Sequence, residues 1–525
     1  MSGNVRAGVP ARAMVASSQR LASQTGKRIL EEGGTAADAC VAMDAVLHVT
    51  EPTSTGLGGD AFVLYFDAAS GRITALNGSG RAPNALTLDR LHGAQPAPAH
   101  GLSITVPGCC AAWFDLVERY GTKPIAQLLA PAIALAEEGF EVGPVTAAVW
   151  ARGLGQLQSD ELKLDGRAPR AGERFRNPGL ARTLRRVSTS GTRGFYEGET
   201  ADAILAAVRE AGGVMTLGDL VAHKSSWDEA ISVPYRGARI WECRPNSQGI
   251  AALLALSVLD GLSLGAPDDA QRWHLLIEAM RLGFADARWW VSDPRATEVP
   301  THGLLSDKYV AERRAMVDPA RATLDARHGA PDRRGGTVYH CAVDRHGNAC
   351  SMASSHFMGF GTGVVPAGCG FVLHNRALGF SLDPSHPNVV APGKRPYHTV
   401  APAMLTRGDG SLWGPLGVMG GFMQPQGHVQ VVTALVDDKA QPQDALDRPR
   451  FYIDSGEAGG VVQLEEGVPD GVVEGLRVRG HPINPGVPSF GRAMFGRGQV
   501  ILRERNGTLV GGSDRRADGC ALDAT

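Results

Sequence analysis

Residues 333–352 read RRGGTVYHCAVDRHGNACSM, and the chemistry they could carry depends on one covalent event. If the Gly336–Thr337 bond is cut, Thr337 gains a free α-amino group with an ordinary pKa of about 7.7–8.0. That amine can act as general base for the hydroxyl of its own residue, so nucleophile and base arrive together and no histidine is needed. The hydroxyl could make the cut itself, attacking the preceding carbonyl to form an ester that water releases. Gly336 suits that step because it has no side chain to block attack and tolerates strained backbone. Taken alone, the Gly-Gly-Thr triplet also fits an ordinary entry into a β-strand.

Two other stretches could serve the same reaction. In GPLGVMGGFMQPQGHVQVV, Gly420 and Gly421 fall between a strand and a helix, where unobstructed N–H groups can face an oxyanion. A tight strand-to-helix turn is the other reading. Arg81, in NGSGRAP, is a cation in a Gly-rich loop. It suits a forked grip on a substrate carboxylate, or equally a surface ion pair. There is no H-E-x-x-H, no G-x-x-x-x-G-K-[ST] and no G-x-S-x-G, and GFGTGVV is too weak a glycine pattern to mark a nucleotide site. The eight cysteines are scattered without a C-x-x-C pair, which fits buried free thiols in a reduced cytoplasm better than disulfides or zinc. No metal or organic cofactor is expected.

The elements that must position these residues change along the chain. In GGTAADACVAMDAVLHV, Thr35 can N-cap a buried helix with Asp38 at its third position. QRWHLLIEAMRLGFADARWW spaces Trp273, Leu276, Ile277, Met280 and Phe284 as an amphipathic helix. AFVLYFD and GRITALN read as strands. Residues 316–336 are polar and aperiodic and read as a linker. Beyond them the chain becomes strand-rich: TVYHCAV and ACSMASS form a hairpin across DRHGN, further strands are expected at GFVLHN, TVAPAML and LWGPLGVM, and GHVQVVTALV closes as a helix. With 525 residues, a formal net charge of −2 and 67 glycines, the chain suits a turn-rich enzyme and offers no basic field for nucleic acid. No signal-peptide h-region and no apolar run of about 18 residues is seen, so a cytoplasmic protein without a membrane span is expected.

Together these pieces resemble the γ-glutamyltransferase (glutathione hydrolase) family of N-terminal-nucleophile hydrolases. The resemblance runs in order through GGTAADACVA, TEPTSTGLGGDAFVLYFD, NGSGRAP, ITVPGCCAAW, LLAPAIALAEEGFEV, RPNSQGI and TVYHCAVDRHGNACSM. It implies an α+β fold, a four-layer αββα sandwich, made as one precursor. Self-cleavage would give a large chain, 1–336, and a small chain, 337–525, held in one intertwined domain as a heterodimer, with a dimer of heterodimers possible. By position, Thr337 corresponds to the nucleophile, Ser355 to a second hydroxyl residue beside it, Gly420 and Gly421 to the oxyanion-hole glycines, and Arg81 to the arginine that grips the donor's α-carboxylate. His398 and Thr399 occupy the place of a Ser-Ser pair that also contacts that carboxylate.

The departures gather where family members hold the α-ammonium of a γ-glutamyl group with Asn, Gln or Glu, and Asp. Phe357, Arg376 and Gly379 stand there. An ammonium beside Arg376 would be repelled and a carboxylate or carbonyl attracted. The pattern resembles the branch containing oxamate amidohydrolase and γ-glutamyltransferase-like proteins. It implies an amidohydrolase or acyltransferase acting on a small acidic donor, either a γ-glutamyl compound or a related acid amide such as oxamate. A glutaryl-type cephalosporin acylase and an inactive family member serving as a binding protein are the alternatives.

Overall fold

A computed structural model describes residues 12–327, 336–457, 459–488 and 493–524. Thirteen strands matter for the site. In chain order they are β1 (Ala13–Ser17), β2 (Asp60–Asp67), β3 (Arg72–Asn77), β4 (Ser226–Glu229), β5 (Ile231–Tyr235), β6 (Ala238–Glu242) and β7 (Gly336–Val343). β8 (Ala349–Phe357), β9 (Ala403–Arg407), β10 (Leu412–Met419), β11 (Arg497–Arg503), β12 (Leu509–Ser513) and β13 (Cys520–Ala524) follow. A seven-stranded sheet has the order β13-β1-β7-β8-β2-β3-β4 and a six-stranded sheet the order β12-β11-β10-β9-β6-β5.

The sheets meet face to face, with β7 against β10 and β11, and β8 against β10. Helices α1 (Arg20–Glu31), α2 (Ala36–Thr50) and α3 (Cys109–Tyr120) cover the outer face of the seven-stranded sheet. On the far side, α4 (Ile250–Asp260) and α6 (Met423–Val436) cover the six-stranded sheet, and α5 (Ala270–Trp290) packs on α4. The result is the αββα sandwich expected from the sequence. Both sheets draw strands from before and after Thr337, so the two segments on either side of that residue could not separate without opening both sheets.

Local causes of these elements are plain. Thr35 and Asp38 form the expected capping box, and every residue of α2 is buried. The Asp38 carboxylate also accepts the N–H of Thr122, tying the helix start to the end of α3. All nine residues of β8 are buried, the burial pattern of a strand covered on both faces. The β7–β8 hairpin turns at Asp344–Asn348, where Asp344 Oδ1 accepts the N–H groups of His346 and Asn348 and Gly347 adopts φ +86°.

Three expectations need correction or trimming. GFVLHN is not a strand: its backbone spreads its bonds over separate loops, with His374 N–H donating to Gly58 and Leu373 N–H to Val364, before a 3₁₀ turn at Arg376–Gly379. In TVAPAML the strand begins only at Ala403, because the N–H groups of Val400 and Ala401 bond to the side chains of His398 and Gln424 and not to a neighbouring strand. The helix expected at GHVQVVTALV starts at Met423, four residues earlier, and does not close the chain, since helices at Pro442–Asp447 and Asp470–Val478 follow. Of the linker expected over 316–336, residues 316–327 carry no strand or helix, and 328–335 lie outside the described residues. All eight cysteines are free, seven of them buried. Among the described residues no helix is long and apolar enough to cross a membrane.

Candidate active site

Thr337 is the second residue of β7 and is fully buried. Ser354 pairs with Val338 and Phe357 with Gly336, so one extra residue on β8 makes a bulge opposite Thr337. The bulge aims Ser355 across the ladder, where its Oγ accepts the Thr337 hydroxyl at 3.2 Å. Phe357 closes the bulge with φ +80°, a left-handed conformation that is strained for an aromatic residue, and its N–H donates to Ser355 Oγ at 2.8 Å.

Arg376 meets the same oxygen. Its Nη2 donates to Ser355 Oγ at 3.2 Å and its Nη1 to Thr399 Oγ1 at 3.0 Å, while the guanidinium carbon lies 4.3 Å from the centre of the Phe357 ring. The side chain is 0% exposed and its Nε has no hydrogen-bond partner. Among the described residues no carboxylate forms an ion pair with it. Burial pushes the guanidinium down to about 9, opposed only by the charge of Asp60. The arrangement is therefore a buried, unneutralised cation two hydrogen bonds away from the Thr337 hydroxyl.

Asp60, the first residue of β2, organises the floor of the site. Its Oδ1 accepts the N–H groups of Gly80 and Gly108, and its Oδ2 faces His398 Nε2 at 3.0 Å. His398 Nδ1 accepts the N–H of Val400 at 3.1 Å, so the proton resides on Nε2 and points to Asp60. Burial and the nearby Arg376 push His398 down to about 3, so the imidazole is neutral. Burial alone would raise the Asp60 carboxyl; His374, His398 and Arg376 hold it below the usual carboxylate range. Both nitrogens of His398 are thus occupied, and only its neighbour Thr399 reaches the arginine.

Gly420 and Gly421 follow β10 with φ +132° and +62°, conformations that require glycine. Among the described residues no acceptor takes up either N–H, whereas both carbonyls are tied: Gly420 O accepts from Met423 N, and Gly421 O from Gln248 Nε2 at 2.8 Å. Arg81 lies apart from the Thr337–Ser355–Arg376 cluster in its hydrogen bonding. Its Nη1 binds Asp293 Oδ2 and the Gly393 carbonyl, both at 3.1 Å, and its side chain is 26% exposed. At Gly379 a Cβ would fall 2.5 Å from the Tyr397 carbonyl, so the backbone packing there leaves no room for a side chain.

Three residues at the site have no role in the sequence reading: Asp60, Gln248 and Gln424. The Gln424 amide donates to Thr337 Oγ1 at 3.0 Å. For Gln424 the repeated glutamines of QPQ, beginning three residues past Gly421, were the available signal.

A buried threonine near the start of a central strand of an αββα sandwich fits the fold of N-terminal-nucleophile hydrolases. Residues 22–524 match the family described as gamma-glutamyltranspeptidase, and the chain belongs to that family. It is 34% identical over 520 residues to the glutathione hydrolase-like YwrD proenzyme of Bacillus subtilis, covering 97% of this chain and 98% of that protein. It is also 34% identical over 524 residues to the oxamate amidohydrolase proenzyme of Klebsiella pneumoniae, again covering 97% and 98%. Among solved structures, a cephalosporin acylase from Bacillus halodurans superposes with a TM-score of 0.91 at 40% identity, covering 99% of this chain and 97% of that one.

Proposed function

We propose that this chain is a self-processing amidohydrolase that cleaves the amide bond of a short acidic acyl donor through Thr337. Relatives named as proenzymes support maturation by a cut. In the proposed cut the Thr337 hydroxyl adds to the Gly336 carbonyl carbon, its proton passes to the departing amide nitrogen, and water hydrolyses the resulting ester. Residues 1–336 and 337–525 then remain together as a heterodimer, and the freed α-amine of Thr337 becomes the base.

In turnover that amine takes the hydroxyl proton as Oγ1 adds to the donor's amide carbonyl. The N–H groups of Gly420 and Gly421 hold the oxyanion. The proton passes to the leaving ammonia or amine, and water, deprotonated by the same amine, releases the acid from the ester. Ser355 orients the nucleophile, and Arg376 with Thr399 receives the donor's carboxylate. Arg81, bound to Asp293 and the Gly393 carbonyl, takes no part in these contacts.

The unneutralised Arg376 carries this reading. A buried cation without a counter-ion is costly, and a substrate carboxylate relieves it. Its guanidinium is linked to Thr337 Oγ1 by two hydrogen bonds through Ser355 Oγ, a closeness that favours a carboxylate directly bonded to the scissile carbonyl, as in oxamate. The carboxylate of a glutaryl group lies three bonds, or roughly 4 Å, further along an extended chain, and the ammonium of a γ-glutamyl group would be repelled by the arginine. The likeness to a cephalosporin acylase keeps a glutaryl-type donor as the second reading. Turnover of oxamate, glutaryl-p-nitroanilide and γ-glutamyl-p-nitroanilide by the purified protein separates them. Preference for oxamate is expected; preference for the γ-glutamyl compound would overturn the assignment.

A further inference from the structure

Gln424 lies in the first turn of α6 and is 1% exposed. Its Oε1 accepts the backbone N–H of Ala401 at 2.9 Å, and its Nε2 donates to Thr337 Oγ1 at 3.0 Å. A backbone N–H can only donate, so Ala401 fixes which end of the amide is oxygen. The NH₂ end must then face Thr337, and Thr337 Oγ1 must accept there. The Thr337 hydroxyl in turn donates to Ser355 Oγ at 3.2 Å. Ser355 Oγ is itself held by donors from Phe357 and Arg376. The bonds thus run in one direction, from Ala401 and Gln424 through Thr337 to Ser355.

We propose that Gln424 is a positioning residue for the Thr337 hydroxyl, setting both its rotamer and the direction of its hydrogen bonds, in the precursor and in the mature protein. The inference rests on Thr337 being the nucleophile. A neutral amide suits the task because it can donate to an oxygen that gains negative character as its proton leaves, without adding charge of its own. A carboxylate at the same place would keep the Ala401 bond but present an acceptor to Thr337, reversing the direction and opposing that negative character.

Two substitutions test this. Gln424→Met keeps the bulk and removes the donor; Gln424→Glu keeps the Ala401 acceptor and reverses the polarity. For Gln424→Met, precursor self-cleavage and kcat on oxamate should each slow by roughly 10–100-fold, with KM within about threefold of wild type. For Gln424→Glu the loss should deepen as pH rises and partly recover in mild acid, where a protonated carboxyl can donate again. A residue that only filled space would lower the melting temperature without changing the pH profile. Self-cleavage and turnover within twofold of wild type in both variants, or a wild-type pH profile in Gln424→Glu, would overturn the proposal. Thr337→Ala, run in parallel, separates the two claims. If it is cleaved, the nucleophile assignment falls; if it stays whole while both Gln424 variants behave as wild type, only the role of Gln424 falls.

Discussion

Replacing Arg376 by methionine should move stability and activity in opposite directions. The guanidinium is fully buried, and its environment pushes it down to about 9. That depression disfavours the charged form by about 5 kcal/mol. Methionine fills much of the same path without a charge and removes that penalty. It leaves the oxygens of Ser355 and Thr399 each short of one donor, at a cost of about 1–2 kcal/mol apiece. The net expectation is a protein as stable as wild type or more so, by up to about 3 kcal/mol. Losing the partner of a substrate carboxylate costs about 2–4 kcal/mol in the transition state, or roughly 30–1000-fold in kcat/KM. The assays are urea denaturation and ammonia release from oxamate, with a neutral acyl anilide as control, on which the loss should stay below about fivefold. A variant that is destabilised by about 2 kcal/mol or more yet turns over oxamate like wild type would refute the reasoning and make Arg376 a structural strut.

Two further expectations follow from the same geometry. At Gly420 a Cβ would lie 3.1 Å from the Met423 Cβ at φ +132°, so Gly420→Ala should twist the peptide that presents the N–H pair. It should lower kcat by roughly 10²–10³-fold with little change in KM, measured by steady-state kinetics on oxamate; unchanged kcat would remove Gly420 from the oxyanion hole. Burial pushes His223, His398 and His481 down to about 3. The unfolded chain therefore binds protons below pH 6.5 that the folded chain refuses, and stability falls as pH drops from about 6.5 toward 3. Each histidine contributes a slope of about 1.4 kcal/mol per pH unit. Urea midpoints at pH 7, 6 and 5 should decline steadily, and a flat series would contradict the neutral, buried assignment.

Much of the scaffold was legible in the sequence because its signals are local. Thr35 and Asp38 are three residues apart, the β7–β8 turn is spelled out by DRHGN, and the helical stripe from Trp273 to Phe284 repeats within one segment. The site itself is assembled by contacts that spacing does not encode. His398 meets Asp60 across 338 positions and Arg81 meets Asp293 across 212. The residue types could suggest a carboxylate-binding arginine at 81, but not that a buried aspartate already holds it. Arg376 stood out because the family resemblance implies an acidic cradle at its place, and its contacts with Ser355 and Thr399 give the arginine a physical setting. GFVLHN misled because its apolar content reflects burial of an irregular segment wedged between loops, which composition alone does not distinguish from a buried strand. Gln424 went unassigned because its importance depends on where Ala401 and Thr337 meet, 23 and 87 positions away.

N-terminal sequencing of the fragments formed by the purified protein tests the central claim most directly. The account predicts two bands on a denaturing gel, the smaller beginning Thr-Val-Tyr-His-Cys, and a single intact band for Thr337→Ala. Wild-type protein that stays whole after long incubation, or a small fragment beginning at any other residue, would contradict it.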